Sequence, residues 1–202
     1  MAADAGGFRA PAGMFRYFRT NIIPPGLHIR PAELLDIPHL REINERELKE
    51  QYRQCWWEQY ILSDSELSQV IEDTRTKKIL GYILAAIRLD CGEIISLAVD
   101  WRWQRRGLGG LLVQRCIEEM RHSHNRSKVM LYARTWTRPW VNRMYRKMGF
   151  VRASLLEKYY ADGEDAEILE CSIPDHYTFE SPAASRPPPD AAALLDQNEF
   201  LH

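Results

Sequence analysis

The stretch Trp103–Leu112, WQRRGLGGLL, lies in the middle of a 202-residue chain. Helices ordinarily start on Ser, Thr, Asp or Asn. This one offers Gln104, Arg105 and Arg106, then Gly107, Gly109 and Gly110, just ahead of an apolar helical run. A backbone so bare of side chains invites close approach. Three readings compete. A phosphate loop of the Walker type must end in Gly-Lys-Ser/Thr, which is absent. A dinucleotide fingerprint needs a third glycine for helix–sheet packing, where Leu112 stands. The third pattern is Gln/Arg-x-x-Gly-x-Gly/Ala, met here as Gln104-Arg105-Arg106-Gly107-Leu108-Gly109. Free N–H groups and the helix dipole favour an anion at such an N-terminus. Arg105 or Arg106 can add charge-assisted contacts, so this pattern suits a pyrophosphate. The plain alternative is a glycine-rich turn with solvated arginines.

The surrounding elements follow from hydrophobic periodicity. Glu93–Val99, EIISLAV, predicts a strand before the glycines. After them Leu108, Leu111, Leu112, Cys116, Ile117 and Met120 recur at helical spacing. Upstream, Leu27–Pro31 predicts a strand. Asp36 predicts a helix cap with Pro38 in the first turn and an apolar stripe of Leu40 and Ile43. A short helix is expected around Cys55–Tyr60, strands at Gln69–Glu72 and Ile79–Arg88, and a polar turn at Thr74–Lys77. Downstream, Lys128–Ala133 reads as a strand and Trp140–Met148 as a helix closed by Gly149. Two last strands, around Phe150–Tyr160 and Asp165–Ile173, flank the turn Ala161-Asp162-Gly163. The order predicts an α/β domain with one mixed sheet of about seven strands and about four helices.

Composition sets the limits. Hydrophobic residues make up 45% of the chain, enough for a real core. The 27 basic and 28 acidic residues nearly cancel, which argues against direct nucleic-acid binding through bulk charge. No apolar run reaches the roughly 18 residues of a membrane-spanning helix, so no membrane span is expected. Cys55, Cys91, Cys116 and Cys171 lie far apart without a histidine cluster, so no metal site is expected and reduced cytosolic thiols are. Residues 1–26 read as a flexible extension ended by Pro24-Pro25-Gly26. Arg9, Arg16 and Arg19 against the single acid Asp4 make an organelle-targeting segment the alternative. Residues 174–202, which include SPAASRPPPDAAA at Ser181–Ala193, read as a disordered tail. The domain is expected over 27–173, in the cytoplasm.

The motifs EIISLAVD, QRRGLGGLL, LYARTW and MYRKMGF together resemble the cofactor-binding core of the GNAT superfamily of acetyl-CoA-dependent N-acetyltransferases. The resemblance implies that the cradle Gln104–Gly110, with Leu108 in it, holds the pyrophosphate of acetyl-CoA. It also implies a bulge at Leu97-Ala98-Val99 that offers backbone groups to the pantetheine arm. Glu157–Leu169, EKYYADGEDAEIL, is similar to the C-terminal hairpin of protein N-terminal acetyltransferases. Leu48, Glu50 and Tyr52 match the Leu-x-Glu-x-Tyr of their first substrate loop. The likeness is closest to the NatA-type catalytic subunit and runs from about Leu27 to Ile173. It implies transfer of acetyl to the α-amino groups of protein N-termini, those of nascent chains expected among them, with protein N-terminal peptides as substrates and a helical auxiliary subunit and the ribosome as partners.

Site residues follow from that resemblance. Glu50 is the candidate base or substrate-orienting carboxylate, although RELKEQYR also reads as a solvated helix end. Tyr145 falls on the family's thiolate proton donor; its plain alternative is core packing. Tyr52, Tyr159 and Tyr160 are candidates for peptide contact, and strand alternation would turn one of the last two into the core. Three positions depart from the pattern. Glu93 stands where the NatA type has histidine, either as a second base candidate or as a polar strand residue. Tyr132 stands where relatives carry histidine or a catalytic glutamate. Thr137 replaces an asparagine in RTWTRPW, beside Trp136, Pro139 and Trp140. The rival readings are a lysine or small-amine acetyltransferase of the same fold, and a non-catalytic CoA-binding scaffold.

Overall fold

The computed structural model describes residues 23–173. The expected N-terminal extension up to residue 22 and the whole 174–202 tail lie outside the described residues. In chain order the elements are β1 (Leu27–Pro31), α1 (Ile37–Glu47), α2 (Gln54–Ser63), β2 (Gln69–Asp73), β3 (Ile79–Ile87) and β4 (Gly92–Val99). Then come α3 (Leu108–His122), β5 (Lys128–Arg134), α4 (Pro139–Lys147), β6 (Val151–Leu156) and β7 (Ala166–Ser172). Two short 3-10 turns, Leu34–Asp36 and Trp101–Trp103, were not expected from periodicity.

The strands form one seven-stranded sheet in the order β1-β2-β3-β4-β5-β7-β6. Every neighbouring pair is antiparallel except β4–β5, which is parallel. Helices α1 and α2 cover one face, where Leu40, Trp57 and Tyr82 are buried. Helices α3 and α4 cover the other, over Ile83, Leu112, Leu131 and Phe150. A central strand covered on both faces needs apolar residues at every position. β3, ILGYILAAI, meets that demand.

The parallel pair makes the fold's opening. β4 and β5 pair only over Gly92–Ile94 and Val129–Leu131. Just past that point the β3–β4 register slips: Leu84 faces Ser96, but Ala85 faces Ile94, leaving Ile95 as an extra residue. Ile94 belongs to the α3–α4 core, while Ile95 packs toward α1 and α2. A bulge of this kind bends its strand and ends regular pairing. The bulge therefore sits at Ile95, not at Leu97–Val99 as the resemblance implied. There the ladder is regular, because Gly81 lets Ala98 and Val99 come close. Beyond the bulge, Ser96–Val99 and Tyr132–Arg134 form the two sides of a V.

Other expectations need correction. Asp36 stands at the N-cap of α1 but makes no capping bond there. Its carboxylate accepts instead from Arg30, at 2.7 and 2.9 Å, and from the Glu33 N–H at 2.8 Å. β6 ends at Leu156, so Tyr159 and Tyr160 are not strand residues and alternation does not sort them. Lys158 turns the chain with a positive φ of 52°, and its N–H donates to Asp165 Oδ1 at 2.8 Å.

The loop that follows is fastened by one buried carboxylate. Glu164 accepts from the N–H groups of Trp136 and Thr137, both at 2.9 Å, from the Thr137 hydroxyl, and from Arg134 Nη1 at 2.7 Å. Burial pushes its pKa up, but these donors outweigh burial and hold it down to about 2. On the α1–α2 face a buried network ties three elements. The Tyr82 hydroxyl donates to Asn44 Oδ1 at 2.8 Å and lies 3.0 Å from Ser96 Oγ, and Asn44 Nδ2 donates to the Glu50 carbonyl at 2.6 Å.

A Cβ at position 81 would lie 2.9 Å from the Ala98 carbonyl oxygen and 3.0 Å from Val99 Cγ2. Gly81→Ala should lower unfolding stability in denaturant by about 1–3 kcal/mol; an unchanged midpoint would contradict this packing. Because the Glu164 pKa is depressed on folding, its stabilisation is complete above the ordinary value of 4.5 and is lost as pH falls toward about 2. Stability measured against pH should therefore fall across that window, and Glu164→Gln should be less stable near neutrality with a shallower acid decline.

Candidate active site

The cradle is built by two left-handed residues around Arg106. Arg105 has φ 64° and Gly107 φ 85°. Such alternation turns successive N–H groups toward one point, an anion-binding concavity. Gly107 is the N-cap of α3 and makes no side-chain capping bond, so the first-turn N–H groups face outward without a side-chain acceptor at the cap. Gly107 is required for its conformation, since a Cβ there would meet nothing within 4 Å. Gly109 is not under the same constraint: a Cβ there would make ordinary contacts, 3.6 Å from Met144 Sδ, 3.8 Å from Val99 Cγ2 and 3.9 Å from Leu97 Cδ2, which places it between β4 and α4. Leu108 and Gly110 are buried, so Leu108 offers the cradle its N–H and not its side chain. Arg106 lies over the Trp103 ring at 4.8 Å, and Arg105 is exposed.

Gln104 has a different place from the one expected. Its side-chain Nε2 donates to Glu47 Oε2 at 2.6 Å and to the Val99 carbonyl at 2.8 Å. Its amide thus ties the cradle to α1 and to the end of β4. Of Leu97, Ala98 and Val99, the Leu97 and Val99 side chains border Gly109, while Ala98 packs toward α1.

On the α1–α2 face of the V, charged and aromatic groups converge on Arg134, the last residue of β5. Arg134 Nε donates to Glu50 Oε1 at 2.9 Å, and Nη2 donates to the same oxygen. Nη1 reaches Asp162 at 3.0 Å and Glu164 at 2.7 Å. The guanidinium lies 3.9 Å from the Tyr160 ring centre. Lys49 Nζ donates to Asp162 at 2.7 Å, so the 48–53 loop and the 157–165 loop are joined once directly and once through Arg134. Three carboxylates against Arg134 and Lys49 leave one net negative charge beside the opening. Glu50 Oε2 has no hydrogen-bond partner among the described residues.

The tyrosines line the same region. Tyr52 stacks on Trp56 at 3.7 Å, Tyr159 stacks on Tyr132 at 5.3 Å, and Tyr159 meets Tyr160 edge-on at 5.1 Å. Burial, with the Glu50 charge adding to it, pushes the Tyr52 phenol up to about 12 and raises Tyr160 further. Leu48 is the C-cap of α1, its N–H donating to the Asn44 carbonyl at 2.7 Å and its side chain packing on the α1–α2 core. Tyr145 is buried on α4 with its ring edge-on to Phe150 at 5.4 Å. Burial raises its phenol well above the ordinary range, with a further contribution from Tyr160 across the V.

Glu93 is not brought into the Glu50–Arg134 group. It lies where β4 and β5 are still paired, opposite Met130, and is held by Arg88 Nε. Its charge, after burial, helps raise the Tyr132 phenol. Thr137 spends both its N–H and its hydroxyl on Glu164. Arg134, Glu164 and Glu47 were not singled out from sequence, although RTW and GED fall inside motifs that were. Their roles depend on partners distant in the chain.

The chain is similar to known proteins. Residues 32–150 match the acetyltransferase (GNAT) family. The chain is 29% identical over 157 residues to an N-alpha-acetyltransferase of Sulfurisphaera tokodaii, covering 72% of this chain and 92% of that one. It is 32% identical over 142 residues to the N-terminal acetyltransferase A complex catalytic subunit NAA10 of Arabidopsis thaliana, covering 68% and 73%. The crystal structure of Ard1 from Thermoplasma volcanium superposes with a TM-score of 0.68 at 26% identity, covering 73% of this chain and 98% of that one. The chain belongs to the GNAT family of acetyltransferases.

Proposed function

We propose that this chain transfers the acetyl group of acetyl-CoA to the free α-amino group of protein N-termini, nascent chains among them. The observation that carries this reading is the V between β4 and β5. It has an anion cradle on one face and, on the other, a carboxylate and tyrosines roofed by two linked loops. The names of the Sulfurisphaera and Arabidopsis relatives support the acceptor class. The transferase unit is read as residues 27–173, with the two ends of the chain as additions to it.

The residues present fit acetyl-CoA. The N–H groups of Gly107–Gly110, with Arg105 and Arg106, would hold its pyrophosphate, and its arm would run past Gly109 beside Leu97, Val99 and Met144. When bound, it supplies an activated acyl group and a thiol leaving group.

The chain's own groups do the rest. An α-amine has a pKa near 8 against about 10.4 for lysine, so it needs modest help to lose its proton. Glu50, fixed through Oε1 by Arg134, keeps Oε2 for the amine or for a water that carries its proton away. The net negative charge of the cluster favours a cationic N-terminus. Tyr52, Tyr159 and Tyr160 are placed to contact the first peptide groups. Tyr145, whose raised phenol stays protonated at neutral pH, returns a proton to the departing sulfur. Glu93, held by Arg88, is left out of the proton path. Ribosome proximity, a cytoplasmic setting and a helical auxiliary subunit belong to this proposal; the naming of the Arabidopsis relative as a catalytic subunit of a complex supports the last.

The test is thiol release from acetyl-CoA with matched peptides, free or blocked at the N-terminus, starting with Ser, Ala, Met or Glu. Turnover of free peptides alone is expected. Turnover of blocked, lysine-containing peptides would move the activity to lysine, and none at all, also after an auxiliary subunit is supplied, would contradict an enzyme. Tyr145→Phe should lower kcat by about 100-fold with acetyl-CoA still bound. Glu50→Gln should lower kcat/KM for peptide by roughly ten- to hundredfold, the worth of a charged hydrogen bond, while KM for acetyl-CoA holds. Equal loss toward both substrates would argue against the acceptor-side role.

A further inference from the structure

Glu47 is a buried carboxylate that the acetyl transfer described above does not use. It is the last residue of α1, and the chain runs from it directly into the Leu48–Tyr52 loop. Its oxygens are taken up by three other segments. Oε1 accepts from the Trp101 N–H at 2.9 Å, in the 3-10 turn before the cradle. Oε2 accepts from Gln104 Nε2 at 2.6 Å, in the cradle itself. Arg138 Nη1, at the N-cap of α4, lies 3.7 Å from Oε2. Arg138 directly follows Thr137, which Glu164 holds, and Glu164 in turn holds Arg134 and with it Glu50. One buried anion therefore bonds to the loop that meets the pyrophosphate and stands three residues from the carboxylate that meets the amine.

We propose that Glu47 is a positioning residue that couples the two halves of the site, so that occupancy of the cradle by CoA orders the acceptor loop and tightens peptide binding. This rests on the N-terminal acceptor reading above. The physical ground is shared ordering. A ligand that immobilises the Trp101–Gly107 segment also immobilises the groups bonded to it, and a second ligand that needs the same order then loses less entropy on binding. Coupling of this kind is reciprocal, so peptide must tighten CoA by the same factor. A burial role alone would not produce such a factor. Losing a merely structural contact weakens each ligand to the same extent whether or not the other is present.

The experiment is calorimetric titration of the full chain with CoA, which cannot acetylate, in the absence and presence of a saturating Ser-initiated free peptide, and the reverse titration. The wild-type chain should show mutual tightening of about fivefold or more. Glu47→Gln keeps an acceptor for the Trp101 N–H but sets an amide against the Gln104 amide, and its factor should fall toward one. Gln104→Ala breaks the same link from the other end and decides the matter if the Glu47 variant does not fold. Loss of the factor in a folded variant supports the role. A factor of one in the wild-type chain, or the wild-type factor kept in both variants, overturns it. Failure of the wild-type chain to bind any free peptide with CoA present overturns the acceptor reading as well, whereas peptide binding without coupling overturns Glu47 alone.

Discussion

Arg134 is the constraint on which the acceptor side depends. Its charge sits at the end of a strand, mostly shielded from water, and is matched by carboxylates from two loops that share no secondary structure. Taking Arg134 away would leave buried Glu164 without its counter-charge, which costs far more than an exposed ion pair is worth. The guanidinium presents several donors in a fixed plane, so it sets where Glu50 and Glu164 must stand. Lys49 and Asp162 are more exposed and contribute less. Glu164 carries the link onward to the start of α4. The loop from Glu157 to Asp165 is thus held as part of the body of the domain and not as a free hairpin tip.

The sheet explains why such a centre is needed. A bulge at Ile95 and a short parallel pairing leave two strands diverging from one point. Diverging strands expose backbone groups that would otherwise satisfy each other. The fold uses that opening twice: α3 brings its uncapped N-terminus to one face, and the two loops bring carboxylate and phenols to the other. Gly81 lets β3 and β4 close behind it. The chemistry of acetyl transfer needs an activated acyl group and an amine to meet, and this opening is where the two faces communicate.

How much of this was legible in the sequence depends on the range of the interactions. The strand–cradle–helix unit around Gln104–Gly110 was readable because its pattern is local: apolar alternation, then glycines, then 3.6-residue periodicity. The order of strands and helices was readable for the same reason. The bulge position was not, since it is a matter of register between β4 and the neighbouring strand β3. Tyr159 and Tyr160 look like strand residues by type, but Lys158 turns the chain before them. Asp36 has the composition of a cap and is claimed by Arg30. Arg134 finds Glu50 across 84 residues, and Gln104 finds Glu47 across 57. Glu47 and Glu50 lie in a run dense in charge that reads as a solvated surface, and nothing in that run marks one glutamate as buried.

The central claim is that the amine accepted here is the α-amine of a chain end. It is tested most directly by offering one peptide that carries both a free N-terminus and an internal lysine, with acetyl-CoA, and locating the acetyl group by fragmentation mass spectrometry. The account predicts acetyl on the α-nitrogen, with the lysine left unmodified at early times. Acetyl on the lysine ε-nitrogen, with the N-terminus still free, would contradict it.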